Sequence, residues 1–261
     1  MQPTTLGLNR TTTVVSPAAL AAMNAAADEL TPVEDIDTSA LDAEKLACMA
    51  EADAVGSVPP PASMKGVVKA GVSKLKGGHP VVLMDKVGER LAFERSGARL
   101  YDALILKYRA SLDAAGSDPL PPARTAAGTD GQKESPSQTL ERIRAEELQH
   151  FELLRQAMQQ LGGDPTAVTP CADVAAVASS GLMQVLNDPR TTLAQCLNAM
   201  LTAELTDNAG WELLASLADA AGENDLAGRF LGALAQEQQH LLTIKNWLAS
   251  VVVEDPNPTI L

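Results

Sequence analysis

The sequence predicts an all-α protein: a four-helix bundle with a long crossover between helices 2 and 3, preceded by a partly helical N-terminal extension. Three observations predict this class. Four long stretches carry apolar residues at the three- and four-residue steps that keep side chains on one face of a helix. Connections rich in Pro, Gly and Ser follow the first two stretches, whereas little more than AAGEND separates the last two. A long middle connection with a tight final turn is typical of two antiparallel helix pairs joined by a crossover.

The predicted elements divide the 261 residues into three parts. Residues 1–80 form an extension with short helices after Pro17 and Ser39, the stretch VPPP and the lysine-bearing segment MKGVVKAGVSKLK. Residues 81–252 form the bundle, and residues 253–261 form a C-terminal tail. The four long helices are predicted at about 85–112, 137–161, 190–221 and 223–250, with a further short helix inside the crossover.

Charge and composition narrow the range of partners. The chain has 33 acidic and 20 basic residues and a net charge of −13, which argues against binding to nucleic acid. No apolar run reaches the ~18 residues of a membrane span. Three cysteines without a C-x-x-C motif argue against a disulfide framework and against a thiolate metal site. We therefore expect a cytoplasmic protein without a membrane span.

Each long helix is predicted to carry ionisable residues in the middle of its apolar stripe. In chain order these residues are Glu94, Glu147, His150, Glu204, Asp207, Glu237 and His240. The chain has three histidines, and two of them follow a glutamate by three residues, in AEELQHFELL and in AQEQQHLL. On the fourth helix the predicted stripe runs through Leu234, Glu237, Leu241, Ile244 and Leu248, with His240 on its adjoining edge.

Converging buried carboxylates need a positive partner, because each uncompensated charge costs several kcal/mol and the group repels itself. Two divalent metal ions would balance four carboxylates, and neutral imidazoles would complete the ligand set. Residues three apart on a helix reach the same side. We therefore expect Glu147 with His150 to serve one metal and Glu237 with His240 the other, with the remaining two glutamates bridging or capping the pair.

Four segments, GERLAFERSGARLYDAL, AEELQHFELL, TAELTDNAGWELL and AQEQQHLL, follow one another on the predicted helices. Over about residues 85–250 they resemble the ferritin-like superfamily and, within it, the rubrerythrin-like branch. The resemblance implies a bundle that binds two iron ions, or manganese, through the residues named above. It implies a role for Tyr101, seven residues after Glu94, in structure or in electron transfer. Asp207 looks like the extra third-helix carboxylate of rubrerythrins, as a further ligand or as a hydrogen-bonded neighbour of the ligands.

The resemblance implies a non-haem di-iron oxidoreductase that reacts with dioxygen or hydrogen peroxide, as a ferroxidase or a peroxide scavenger. Because we recognise no rubredoxin-like segment in the sequence, electrons are expected from Fe(II) itself or from a separate donor. A homo-oligomer, a dimer or larger, is expected. Three alternatives stay open: an iron-storage shell subunit, a dimanganese catalase, and a non-catalytic bundle that binds a partner.

Overall fold

The computed structural model describes residues 17–31, 37–59, 80–124 and 133–253. Within these residues the chain forms seven helices and one two-residue antiparallel ribbon, in which Ala123 pairs with Glu134 and Arg124 with Lys133. The helices are α1 (Pro17–Leu30), α2 (Ser39–Glu51), α3 (Pro80–Ala115), α4 (Pro136–Leu161), α5 (Pro170–Asn187), α6 (Leu193–Ala220) and α7 (Asn224–Val253), and the ribbon strands are β1 (Ala123–Arg124) and β2 (Lys133–Glu134). The predicted all-α class is confirmed.

The described residues belong to two compact units. One unit contains α1 and α2, neither of which buries a residue. The other unit begins at Val55 and contains the five longer helices. The predicted lysine-bearing segment and most of the predicted C-terminal tail lie outside the described residues. The domain boundaries at residues 80 and 252 stay predictions.

The four long helices of the larger unit, α3, α4, α6 and α7, form a helical bundle in which contacting neighbours run antiparallel. A three-residue turn alone imposes this on α6 and α7. For the other pairs, the contacts that set the direction are Arg109–Glu141 and Arg144–Asp102 between α3 and α4, Gln156–Arg229 and Glu146–His240 between α4 and α7, and Tyr101–Glu204 and Glu94–Trp211 between α3 and α6. It follows that α4 and α6 run in the same direction.

Since α4 and α6 are parallel, the chain has to travel the length of the bundle between them. Helix α5 does this: its 18 residues span about 27 Å at the ordinary helical rise. It lies along α3 and parallel to it. At its start the Asp85 carboxylate accepts a hydrogen bond from the Cys171 amide (2.9 Å), and at its end Lys107 Nζ donates to the Asp188 carbonyl (2.7 Å). The crossover is thus helical, as the sequence predicts.

Two capping boxes begin the helices that follow the long connections. Ser135 and Gln138 cap α4, and Thr192 and Gln195 cap α6, each side chain satisfying an amide that the helix leaves free. In both cases the motif is readable in the sequence, as a hydroxyl residue followed three positions later by glutamine. Helix α6 accordingly begins at Leu193, three residues after the predicted start.

Apolar spacing predicts stripes through Glu94, Glu147 and Glu204 on α3, α4 and α6, and the residues of these stripes are buried. On α7 the predicted stripe is buried only at Glu237 and Ile244. Leu234, Leu241 and Leu248 are half-buried. The stripe that is buried reads Leu226, Phe230, Ala233, Glu237, His240, Ile244 and Trp247. Phe230 and Trp247 turn α7 to this face, because each of them removes more apolar surface from water than a leucine does. His240 therefore lies on the centre line of the buried face and not on its edge.

Within the described part of the chain, no helix combines the length and the apolar character needed to cross a bilayer.

Replacing Gly88 by alanine should destabilise the fold, although alanine normally strengthens a helix interior by about 0.5–1 kcal/mol relative to glycine. An added Cβ at this position would overlap the Thr169 side chain, where α3 meets the start of α5. We expect a loss of about 1–3 kcal/mol in the free energy of unfolding, measured by urea denaturation.

Gly181→Ala on α5 is the matched control, because its added Cβ meets no atom within 4 Å. It should leave stability unchanged or raise it. Equal stabilisation by both substitutions would contradict a tight approach of α3 to the start of α5.

Candidate metal centre

All seven ionisable residues that the sequence singles out lie buried in one cluster, with 0–3% of their surface exposed. Helices α3, α4, α6 and α7 each contribute to it. Six of the residues fall into two sets of three, within each of which one potential ligand atom per residue lies within 4.8 Å of the others. The first set is Glu94, His150 and Glu237, and the second set is Glu147, Glu204 and His240. Each set can hold a metal ion.

The sequence predicts that each Glu-x-x-His motif serves one metal ion, and that assignment stays a prediction. In the structure, the two residues of each motif fall in different sets. His150 joins Glu237 of the other motif, and His240 joins Glu147. The two residues of the second motif are nonetheless in contact, with 3.1 Å between Glu237 Oε2 and His240 Nδ1, as expected of side chains three residues apart on a helix.

The Glu237 carboxylate lies between the two histidines. Its Oε1 atom is 2.6 Å from His150 Nδ1, and its Oε2 atom is 3.1 Å from His240 Nδ1. Glu147 approaches the second histidine as well, with 3.5 Å between Glu147 Oε1 and His240 Nδ1. Its other oxygen fills the space beside Gly97, where any side chain would overlap it. Glu237 thus occupies the position of a bridge between the two sets.

Both histidines turn Nδ1 towards the cluster and Nε2 away from it. His150 Nε2 lies 2.9 Å from Gln236 Oε1, and His240 Nε2 lies 2.7 Å from Glu146 Oε2. Because these oxygens can accept a hydrogen bond from Nε2–H, they favour the tautomer whose Nδ1 lone pair faces inwards. Each acceptor immediately precedes the glutamate of the opposite motif. That repetition in EELQH and QEQQH was the available signal, and the sequence analysis missed it.

Two aromatic side chains donate hydrogen bonds to the glutamates of α3 and α6. Tyr101 Oη donates to Glu204 Oε1 at 2.5 Å, and Trp211 Nε1 donates to Glu94 Oε1 at 2.9 Å. Each donor stands seven residues after the glutamate on its own helix and bonds to the glutamate on the opposite helix. The centre therefore has an approximate two-fold symmetry relating the α3–α4 pair to the α6–α7 pair.

Arg90 is a buried cation of the cluster that the sequence predictions do not include. It is 2% exposed, and its Nη2 atom lies 2.9 Å from Asp207 Oδ1. Its Nε atom lies 3.8 Å from Glu94 Oε1. The available signal was its position four residues before Glu94, on the same helical face. Asp207 accordingly meets a fixed cation and is also within reach of three of the glutamates.

Burial and crowding shift the pKa values of the cluster in opposite directions. Burial, followed by repulsion from neighbouring carboxylates, raises the pKa of Glu94 and of Glu204 well above the ordinary range. Burial also raises the pKa of Asp207 to about 8, against the attraction of Arg90. For Glu237 burial acts in the same direction, but contacts with the two histidines outweigh it and lower its pKa to about 2.

The same contacts raise the pKa values of both histidines. For each ring burial opposes the shift, and the attraction of nearby carboxylates prevails, chiefly Glu237 for His150 and Glu146 for His240. Without a metal ion, the cluster therefore retains protons on carboxylates and imidazoles. Those protons occupy the place of positive charge that a bound cation would supply.

The donor atoms fit a cation. Glu94 Oε2, Glu147 Oε2 and Glu204 Oε2 are buried without a hydrogen-bond partner. Asp207 Oδ1 meets Arg90 Nη2 at 2.9 Å, and Glu237 Oε1 meets His150 Nδ1 at 2.6 Å. An unsatisfied buried polar atom costs about 1–3 kcal/mol, so such a concentration needs compensation. Carboxylate oxygens with imidazole nitrogens are ligands that iron and manganese accept.

The metal-free protein should lose stability as the pH rises from about 5 to 9. Carboxyl groups whose pKa is raised by folding, such as Glu94 and Glu204, bind more protons in the folded state than in the unfolded chain across this range. The histidines, also raised, stabilise the fold fully below their unfolded pKa of about 6.5 and lose that contribution as the pH passes their folded value. Glu237, with its pKa lowered to about 2, contributes constantly over this range. Thermal unfolding in EDTA measures the trend.

Addition of Mn(II) should remove or reverse this slope, because metal binding requires deprotonated ligands and strengthens as the pH rises. The double variant Glu94→Gln/Glu204→Gln should flatten the slope of the metal-free protein, whereas Glu152→Gln on the exposed side of α4 should leave it unchanged. A metal-free melting temperature that climbs between pH 5 and 9 would contradict the inferred protonation.

No protein-family model matches the chain, and neither a curated protein nor a solved structure matches it. The family is therefore not shown by similarity. The seven buried residues, with their contacts to Arg90, Tyr101 and Trp211, are what supports a function.

Proposed function

We propose that this chain is a ferritin-like four-helix bundle protein of the rubrerythrin-like kind. In this proposal it binds two iron ions and acts as a non-haem di-iron oxidoreductase towards dioxygen or hydrogen peroxide. The observation that carries the proposal is the pair of buried Glu/Glu/His sets with Glu237 between them. Di-iron bundles take one glutamate from each of two helices and a Glu-x-x-His motif from each of the other two. Helices α3 and α6, and α4 and α7, supply that inventory.

Each residue then has a defined role in holding the ions. Glu94 with His150 would hold the first ion, and Glu204 with His240 would hold the second. Glu237 would serve both, since one of its oxygens faces each histidine. Glu147 belongs to the second set and also lies within reach of Glu94 and Glu237, which suits a second bridge. Four carboxylates balance two divalent ions, so the buried charge is compensated.

The burial of the centre supports a small substrate. A pair of iron ions supplies two electrons to dioxygen or peroxide when bound. Because every ligand is at most 3% exposed, the bundle interior favours a diatomic or similarly small reactant over a large organic molecule. The electrons come from Fe(II) itself or from a separate donor. Iron and manganese use the same ligands, so the choice between them requires reconstitution with each metal.

Tyr101 is the protein group best placed to hold a proton at the centre. Burial, followed by the charge of Glu204, raises the pKa of its phenol well above the ordinary value, so it stays protonated and donates to Glu204. Its ring also packs edge-on to His240, with 6.4 Å between ring centroids. These contacts connect Tyr101 to the second set alone.

The first test is metal content and reactivity of purified and reconstituted protein. We expect about two iron ions per chain and consumption of dioxygen or peroxide that is coupled to oxidation of Fe(II). Hundreds of iron atoms per chain in a large hollow particle would instead support storage. Oxygen evolution from peroxide with manganese alone would support a catalase. No metal after anaerobic reconstitution would contradict the proposal and leave a partner-binding bundle.

Glu237→Gln should weaken binding of both ions, because that carboxylate serves both sets. Glu204→Gln should weaken chiefly the second ion and leave about one per chain. Metal titration followed by elemental analysis measures this difference, with Glu152→Gln as the matched control. If Glu237→Gln and Glu204→Gln each lose one metal ion per chain, the bridging position of Glu237 is contradicted.

Tyr101→Phe should preserve metal binding, because phenylalanine fills nearly the same volume and all ligands remain. Loss of the hydroxyl removes one donor to Glu204, so a fall in the rate of Fe(II) oxidation with two ions still bound would assign Tyr101 a proton or electron role. Stopped-flow absorbance under single-turnover conditions measures the rate. An unchanged rate would leave Tyr101 purely structural.

A further inference from the structure

Arg90 and Asp207 are the two buried charged side chains at the centre that the proposed ligand set leaves unused, and Arg90 is the cation of this pair. Its guanidinium is permanently positive. Its Nη2 atom lies 2.9 Å from Asp207 Oδ1, its Nε atom 3.8 Å from Glu94 Oε1, and its Nη1 atom donates to the Thr206 carbonyl at 3.4 Å. Its Cζ atom lies 4.1 Å from the centroid of the Phe93 ring. Contacts on several sides fix this cation beside the first set.

Helix α6 makes room for Arg90 at Gly210. A Cβ added there would overlap the guanidinium and the end of the aliphatic stem. Glycine weakens a helix interior, so its presence in the middle of α6 is explained by the space that Arg90 occupies.

Arg90 and Asp207 also break the approximate two-fold symmetry of the centre. Asp207 stands three residues after Glu204, and the equivalent position after Glu94 is Gly97. An oxygen of Asp207 lies within 4.8 Å of ligand atoms from three of the glutamates, near enough for the same ion. Its other close contact is the guanidinium of Arg90. The two metal positions are therefore not equivalent.

We propose that Arg90 is a positioning residue that holds Asp207 out of the ligand set of the first metal position. Glu94, His150 and Glu237 then bind that ion without Asp207, and the position keeps a lower coordination number. This inference rests on the proposed dinuclear function. The role of Arg90 requires a permanent positive charge, and arginine stays protonated throughout the working pH range. It also requires the space beside Gly210 that the guanidinium fills.

Co(II) titration of metal-free protein, followed by visible absorption, tests the proposal, because the intensity of Co(II) bands falls as the coordination number rises. In Arg90→Gln, Asp207 is released to bind, so we expect a loss of visible absorption per bound Co(II). Removal of the nearby positive charge should also tighten binding of Co(II) by about tenfold. Asp207→Asn alone should keep the wild-type spectrum, and Arg90→Gln/Asp207→Asn should restore it.

If Arg90→Gln leaves the spectrum unchanged with two Co(II) still bound, the proposed role of Arg90 is overturned, whereas the dinuclear centre is not. A changed spectrum in Asp207→Asn would also overturn that role, because Asp207 would already be a ligand in the wild type. A wild-type chain that binds no Co(II) would contradict the dinuclear centre itself, and the two failures are thus distinguishable.

Gly210→Ala gives an independent test that retains both charges and guards against poor folding of Arg90→Gln. Its Cβ displaces the guanidinium from Asp207, so it should reproduce the spectral change. Gly232→Ala on α7 is the matched control, since its Cβ meets no atom within 4 Å. Identical wild-type spectra for both alanine variants would overturn the proposal.

Discussion

The compensation of buried negative charge is the constraint on which the rest of this structure depends. Four helices bring five carboxyl groups into an interior with almost no access to water, where each ionised group costs free energy unless a positive charge or a hydrogen bond meets it. Two imidazoles and one guanidinium meet part of the demand. The carboxylate oxygens left without partners show the part that remains, and a bound cation would supply the missing positive charge.

The fold serves the same constraint. An antiparallel pair, α3 with α4, faces a second pair, α6 with α7, and each delivers one lone glutamate and one Glu-x-x-His motif to the same depth. This symmetry requires α4 and α6 to run in the same direction. The chain between these two helices therefore has to span the bundle. Helix α5 is that connection, fixed at its ends by Asp85 and Lys107. The departures from symmetry, Arg90 and Asp207 against Gly97, lie beside the set formed by Glu94, His150 and Glu237.

Much of the fold and the membership of the buried Glu, Asp and His cluster could be predicted, because they depend on periodicity within single helices. Three of the four buried faces and both capping boxes follow from local spacing. The buried face of α7 differs from the predicted one because Phe230 and Trp247 take the interior in place of the leucines, and apolar spacing alone does not rank side chains by size. The division of each Glu-x-x-His motif between two sets, and the roles of Glu146, Gln236 and Arg90, depend on contacts between helices. The periodicity within one helix does not specify which residues of a neighbouring helix its side chains contact.

X-ray absorption at the iron edge of Fe(II)-loaded protein would test the dinuclear centre most directly. The geometry predicts about two iron ions per chain, each with oxygen and nitrogen ligands and a neighbouring iron at about 3.5–4 Å. Isolated iron without a metal neighbour, or iron held at surface carboxylates and lost on washing, would contradict a centre built from Glu94, His150, Glu204, His240 and the bridging Glu237.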